Sequence, residues 1–112
     1  MLAHAYASLA EAPAADVDRA LDPAVTGSAL LPLAVHRDSR VRAAVAWRID
    51  CPTGALISLA HDSRAEVLLS VLANPRTPSG VVRTLADHPE HSVADAALQR
   101  LRSIYRQPAT AG

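Results

Sequence analysis

The chain has 112 residues, eleven arginines against eleven acids, no lysine, and a formal net charge of zero. Half the residues are apolar, yet there is no Phe, one Trp and two Tyr, so the core has to be built from Ala, Leu and Val in closely packed helices. These figures argue against a strongly basic nucleic-acid protein, a disulfide scaffold (Cys51 is the only cysteine) and a chain with a membrane span.

Taken in chain order, residues 1–21 open on an Ala-rich run. It lacks the positive start of a secretory leader and is broken by His4, Ser8 and Glu11, so a cytoplasmic protein is expected. Leu9-Ala10 and Val17 line up with Leu33-Ala34 and Val41 at one common offset, slightly shorter than the spacing between the later units. This makes 1–21 a degenerate, acidic N-terminal cap. Residues 1–30 carry a net charge of minus three and the remainder plus three. In 22–47, Leu30, Leu33 and Ala34 form the apolar face of a first helix, and Val41, Ala44 and Val45 that of a second. Pro32 falls inside the first helix, which should be kinked or begin late.

In 48–73, a short helix from Pro52 should bury Leu56, Leu59 and Ala60. A turn at His61-Asp62-Ser63 leads to a second helix over about 64–73, with Val67, Leu68, Val71 and Leu72 inward. The same grammar recurs in 74–106. Asn74-Pro75 reads as a stop, with Asn in a left-handed cap, and Thr77-Pro78 as a start, with Thr as N-cap. Val81, Val82, Leu85 and Ala86 share one face. A second helix from about Ser92 to Tyr105 carries Val93, Ala96, Ala97, Leu101 and Ile104. Residues 108–112 read as a disordered tail.

The period is the main signal. Leu33-Ala34, Leu59-Ala60 and Leu85-Ala86 recur at one constant interval, and Val41, Val67 and Val93 follow the three leucines in step. A fixed period in this range marks stacked units, none able to bury its apolar face alone. The expectation is one all-α domain over 1–107, a short α-solenoid of paired helices with a cap (1–21) and units 22–47, 48–73 and 74–106.

The run Leu72-Ala73-Asn74-Pro75-Arg76-Thr77-Pro78, continuing through Leu85-Ala86-Asp87-His88-Pro89, resembles the bacterial leucine-rich repeat variant, and the whole is similar to HEAT-type α-solenoids. The resemblance is strongest over 72–98. It implies a right-handed superhelix, one helix per unit being partly 3₁₀, and an interaction scaffold without a reaction. The prototype's cysteine-ligated iron–sulfur segment has no counterpart, because only Cys51 is present.

Trp47 is the residue on which binding is expected to centre. Its equivalents are Ala73 and Gln99, so stacking does not demand an aromatic there, and Trp is enriched at binding hot spots. The alternative is that Trp47 fills a gap in an irregular unit. The candidate partner surface is Arg40, Ala43, Trp47, Glu66, Leu69 and Asp95, one line across successive second helices, with a protein or peptide as the partner.

Two other function classes have some support. Trp47, Cys51 and His61 could line the pocket of a small enzyme, with Cys51 activated at a helix N-terminus. Arg40, Arg42 and Arg48 could form a nucleic-acid face, which the balanced charge disfavours. His36, Asp62 and His88 fall at equivalent positions, and equivalent positions lie about 10 Å apart, too far to share a zinc ion. They read instead as turn residues capping helix ends, so no metal or cofactor is expected. Leu98, Leu101, Ile104 and Tyr105 have no following unit to cover them. Leu98 and Leu101 can pack inward, whereas Ile104 and Tyr105 lie near the free end, which points to a homodimer through the last helix. The alternative is a monomer kept soluble by Arg100, Arg102 and Arg106.

Overall fold

The computed structural model describes residues 14–105, and all regular structure among them is helical. Helix α1 covers 14–21. A 3₁₀ turn, Gly27–Leu30, runs into α2, Leu31–Ala34. Then follow α3 (Ser39–Trp47), α4 (Thr53–Leu59), α5 (Ala65–Ala73), α6 (Ser79–Leu85) and α7 (His91–Tyr105). Pro32 lies in the first turn of α2, where a missing N–H costs nothing, so the first helix of this unit begins late, as its sequence requires. Gly27 supplies the positive φ, 57°, at the entry to the 3₁₀ turn.

The second helices lie side by side, α3 against α5 and α5 against α7. The first helices cover them, α2 packing on α3 and α4, and α6 on α7. Leu30, Val41, Val45, Leu56, Val67, Leu68, Val71, Val82 and Val93 are all fully buried in one cluster, with Leu33, Leu59 and Leu85 nearly so. Each such side chain contributes about 1.5–3 kcal/mol of burial free energy. Ala60 and Ala86, expected inward, are only half-buried, and Ile104 is exposed.

The repeat period is visible in the hydrogen bonds. Arg48 Nη1 donates to the carbonyls of Ala20 (3.0 Å) and Asp22 (2.8 Å). Asn74 Nδ2 donates to those of Ala46 (2.8 Å) and Arg48 (2.6 Å). Arg100 Nη1 donates to those of Leu72 and Asn74. The three donors thus reach back by the same two intervals, to the C-terminal end of the preceding second helix, where carbonyls lack partners within the helix. A second series repeats in step. His36 Nδ1, Asp62 Oδ1 and His88 Nδ1 each accept the N–H two residues on, at 3.0, 2.9 and 3.0 Å, and so close the turn before α3, α5 and α7.

Three local expectations are corrected. The Arg48 bonds put α1 in the same register as the later units, not in the shorter one suggested by Leu9-Ala10, a pair outside the described residues. Asn74 is extended (φ −78°, ψ 119°) rather than left-handed, because its amide bonds to the neighbouring unit and its Oδ1 accepts from Arg76 N–H (2.9 Å). Thr77 does not cap α6. Pro78 occupies the cap position, its carbonyl accepting from Val81 and Val82, while Thr77 Oγ1 donates to Val71 O at 2.6 Å. The expected tail at 108–112 lies outside the described residues, as does most of the cap.

Candidate interaction face

Each second helix turns one face outward, and the common register aligns these faces in rows. Row one is Val17 on α1, Ala43 on α3 and Leu69 on α5; row two is Leu21, Trp47 and Ala73; row three, just past the helix ends, is Pro23, Ile49 and Pro75. All nine are apolar, and all but Val17 and Ala43 are exposed. Trp47 stands 63% exposed and Ile49 64%, so Trp47 fills no gap in the core. Rows two and three enclose a groove of about 480 Å³ across three stacked turns, with Arg48 and Asp50 in its wall. On α7 the rows become Asp95 and Gln99, and the apolar strip ends there.

Of the expected surface, Trp47 and Leu69 (37% exposed) belong to this strip, and Ala43 is its half-buried floor. Asp95 is exposed at the α7 border. Arg40 and Glu66 border the strip at the N-terminal ends of α3 and α5. Arg40 is held by Asp38 (Nη2 to Oδ2, 2.9 Å), and Glu66 accepts the Ser39 hydroxyl. Leu21, Pro23, Ile49 and Pro75 were not anticipated. Their signal was in the sequence, since positions 21, 47 and 73, and then 23, 49 and 75, repeat in the same register as the core leucines. The latter set, however, reads first as turn punctuation.

The charged groups around the strip mostly engage each other. Arg48 grips Asp50 with two bonds (2.8 and 2.7 Å), which raise the guanidinium's pKa and lower that of the carboxyl. Arg42 grips Asp62 (2.6 and 3.1 Å) and donates to His36 O, tying α3 to the turn before α5. Burial alone would raise the Asp62 pKa, but hydrogen bonds from Arg42 and the Arg64 N–H, with their charge, hold it below its ordinary value. Bonds from the Arg40 side chain and N–H bring Asp38 down to about 2. The three arginines of the nucleic-acid reading are therefore each paired with an aspartate, and they form no open basic face.

The residues of the enzyme reading do not meet. Trp47 lines the groove described above. His61 lines a separate cavity of about 480 Å³ between α2 and α4, with Leu31, Val35 and Ser58. Cys51 is buried and lines neither. Burial, with Asp50 nearby, pushes its thiol up to about 11, the reverse of activation. Among the described residues no three His, Cys, Asp or Glu side chains could share a metal ion, and no helix is long and apolar enough to cross a membrane.

Comparison with family models, with curated proteins and with solved structures finds no match.

Proposed function

We propose that this chain is a short α-solenoid of the variant leucine-rich repeat type and works as a non-catalytic protein-interaction module, binding its partner on the outward face of its second helices. The observation that carries this reading is the strip itself: nine apolar residues contributed in register by three helices and the turns that follow them, with a largely exposed tryptophan at the centre. Trp is the residue type most enriched at binding hot spots, and here it stands 63% exposed amid other apolar side chains. The cross-unit bonds from Arg48, Asn74 and Arg100 support the solenoid part, since they repeat at the period that stacking requires.

Trp47 is the only tryptophan, so its emission reports directly on this face. Peptides selected from a displayed random library on the wild-type protein should shift that emission to the blue. They should lose binding by about thirtyfold or more to Trp47→Ser, the usual scale of a hot-spot aromatic. A library that yields only binders indifferent to Trp47→Ser overturns the proposal.

A further inference from the structure

The shape and borders of the strip say what kind of partner it fits. Three helices spaced about 8–10 Å apart make it roughly 20–25 Å long, and the two turns from row one to row three make it about 10 Å wide. The flat area is on the order of 250 Å², well short of the ~800 Å² per partner that a stable globular interface buries. A second copy laid flat on this strip is therefore poorly matched. One α-helix is about 10 Å across, and about 16 residues of it span about 24 Å. A single helix lying across α1, α3 and α5 covers the strip without remainder.

The two long borders differ in charge. Along the helix C-terminal ends, Arg48 pairs with Asp50, Asp22 lies near Arg48, and Arg76 donates to Ile49 O, two arginines against two aspartates. Along the N-terminal ends of α3 and α5 runs a polar cleft of about 580 Å³ that contains Arg37, Arg40, Arg64 and Glu66. Arg40 is committed to Asp38, and Glu66 accepts from Ser39. Arg37 and Arg64 are exposed and belong to no ion pair among the described residues. Arg40 to Trp47 is two helical turns, about 10 Å, so groups on one edge of a helix seated over Trp47 come within reach of this cleft.

We infer that the partner element is an amphipathic α-helix with apolar residues at i, i+3 or i+4, and i+7 and acidic residues along one edge, the apolar stripe on Trp47 and the acidic edge on Arg37 and Arg64. This rests on the interaction face proposed above and names its partner. Helix-in-groove recognition reads apolar anchors at that spacing, and edge charges fix orientation.

The test selects displayed random peptides long enough to cross the strip as a helix (about 16 residues) on the wild-type protein, makes the winners synthetically and titrates them by Trp47 emission. Expected are sequences with helical apolar spacing enriched in Asp and Glu. Their binding should weaken roughly five- to tenfold in the double variant Arg37→Gln, Arg64→Gln, the size of two exposed charge contacts. Replacing their acids with Lys should abolish binding. Trp47-dependent peptides without acidic enrichment, or equal binding to the double arginine variant, overturn this inference and leave the binding face standing. Binders that ignore Trp47 overturn both. A blue shift with vesicles of anionic phospholipid and none with any selected peptide also overturns it, in favour of a membrane surface.

Discussion

Asn74 is the residue at which the stacking argument can be broken most cleanly. It is 1% exposed, and its amide satisfies Ala46 O, Arg48 O and Arg76 N–H, which ties the end of α5 to the end of α3 and to its own turn. Asn74→Ala deletes three hydrogen bonds and leaves a small void. Arg48 O keeps Cys51 N–H as a donor (3.1 Å), so the heaviest loss falls on Ala46 O and Arg76 N–H. At about 1 kcal/mol per lost bond, the cost is about 3 kcal/mol, or about 13 °C in melting temperature for a domain of this size. Asn74→Asp should cost at least as much at pH 7, because it points a carboxylate oxygen at two carbonyl oxygens. Part of that loss should return as the pH falls and the carboxyl protonates. Urea unfolding measures both. An Asn74→Ala variant within about 0.5 kcal/mol of wild type, the range of an ordinary surface substitution, would refute the claim that these cross-unit bonds hold the stack.

Leu59→Ala and Leu85→Ala, each at a 4% exposed core position, should cost about 2–5 kcal/mol, read from the same unfolding curves. The Cys51 thiol should resist an aromatic disulfide reagent in the native protein and react at once in urea; rapid native labelling would contradict its burial. Asp38, Asp50 and Asp62 all have folded pKa values below the ordinary one, so their stabilisation is complete above about pH 4 and lost as the pH falls through their folded values, near 2 for Asp38. The melting temperature should accordingly drop as the pH falls between about 4 and 2. Leu98 is 41% exposed where its equivalents Ala46 and Leu72 are buried, and a homodimer through α7 would cover it; light scattering should then give twice the 11.8 kDa chain mass, and 11.8 kDa refutes it.

Most of the helical plan was legible because the same buried positions recur along the sequence. The leucines of the Leu-Ala doublets and the valines that follow them are buried in each helix pair. Pro32 announced a kinked or late helix through its own geometry, and it lies in the first turn of α2. The cross-unit donors were not legible. Arg48, Asn74 and Arg100 are chemically unlike, and nothing in a single letter says that an arginine and an asparagine do one job. That equivalence appears only when the last carbonyls of the preceding second helix are brought beside them. Asn74-Pro75 therefore looked like an ordinary helix stop, although its amide serves the neighbouring unit. Thr77 looked like a cap for the same reason. Its hydroxyl instead goes back to Val71 O, which already accepts the Asn74 N–H (3.1 Å) and to which Pro75, having no N–H, cannot donate from the next position.

The same bonds bear on how the strip works. Each donor immediately follows a row-two residue in the chain: Arg48 after Trp47, Asn74 after Ala73, Arg100 after Gln99. Three of the four row-two residues are thereby followed by a side chain bonded to the end of the preceding helix, and Arg48 itself is only 8% exposed. A row held in this way has little freedom left to lose, and lost freedom is where much of the cost of any association arises. The row position is structurally fixed, yet its occupant is free to vary, and it reads Leu, Trp, Ala, Gln along the stack. A position whose backbone is constrained and whose side chain is not is where a repeat protein can set specificity without disturbing its fold. In this chain that freedom has been used to place its only tryptophan at the centre of the apolar strip.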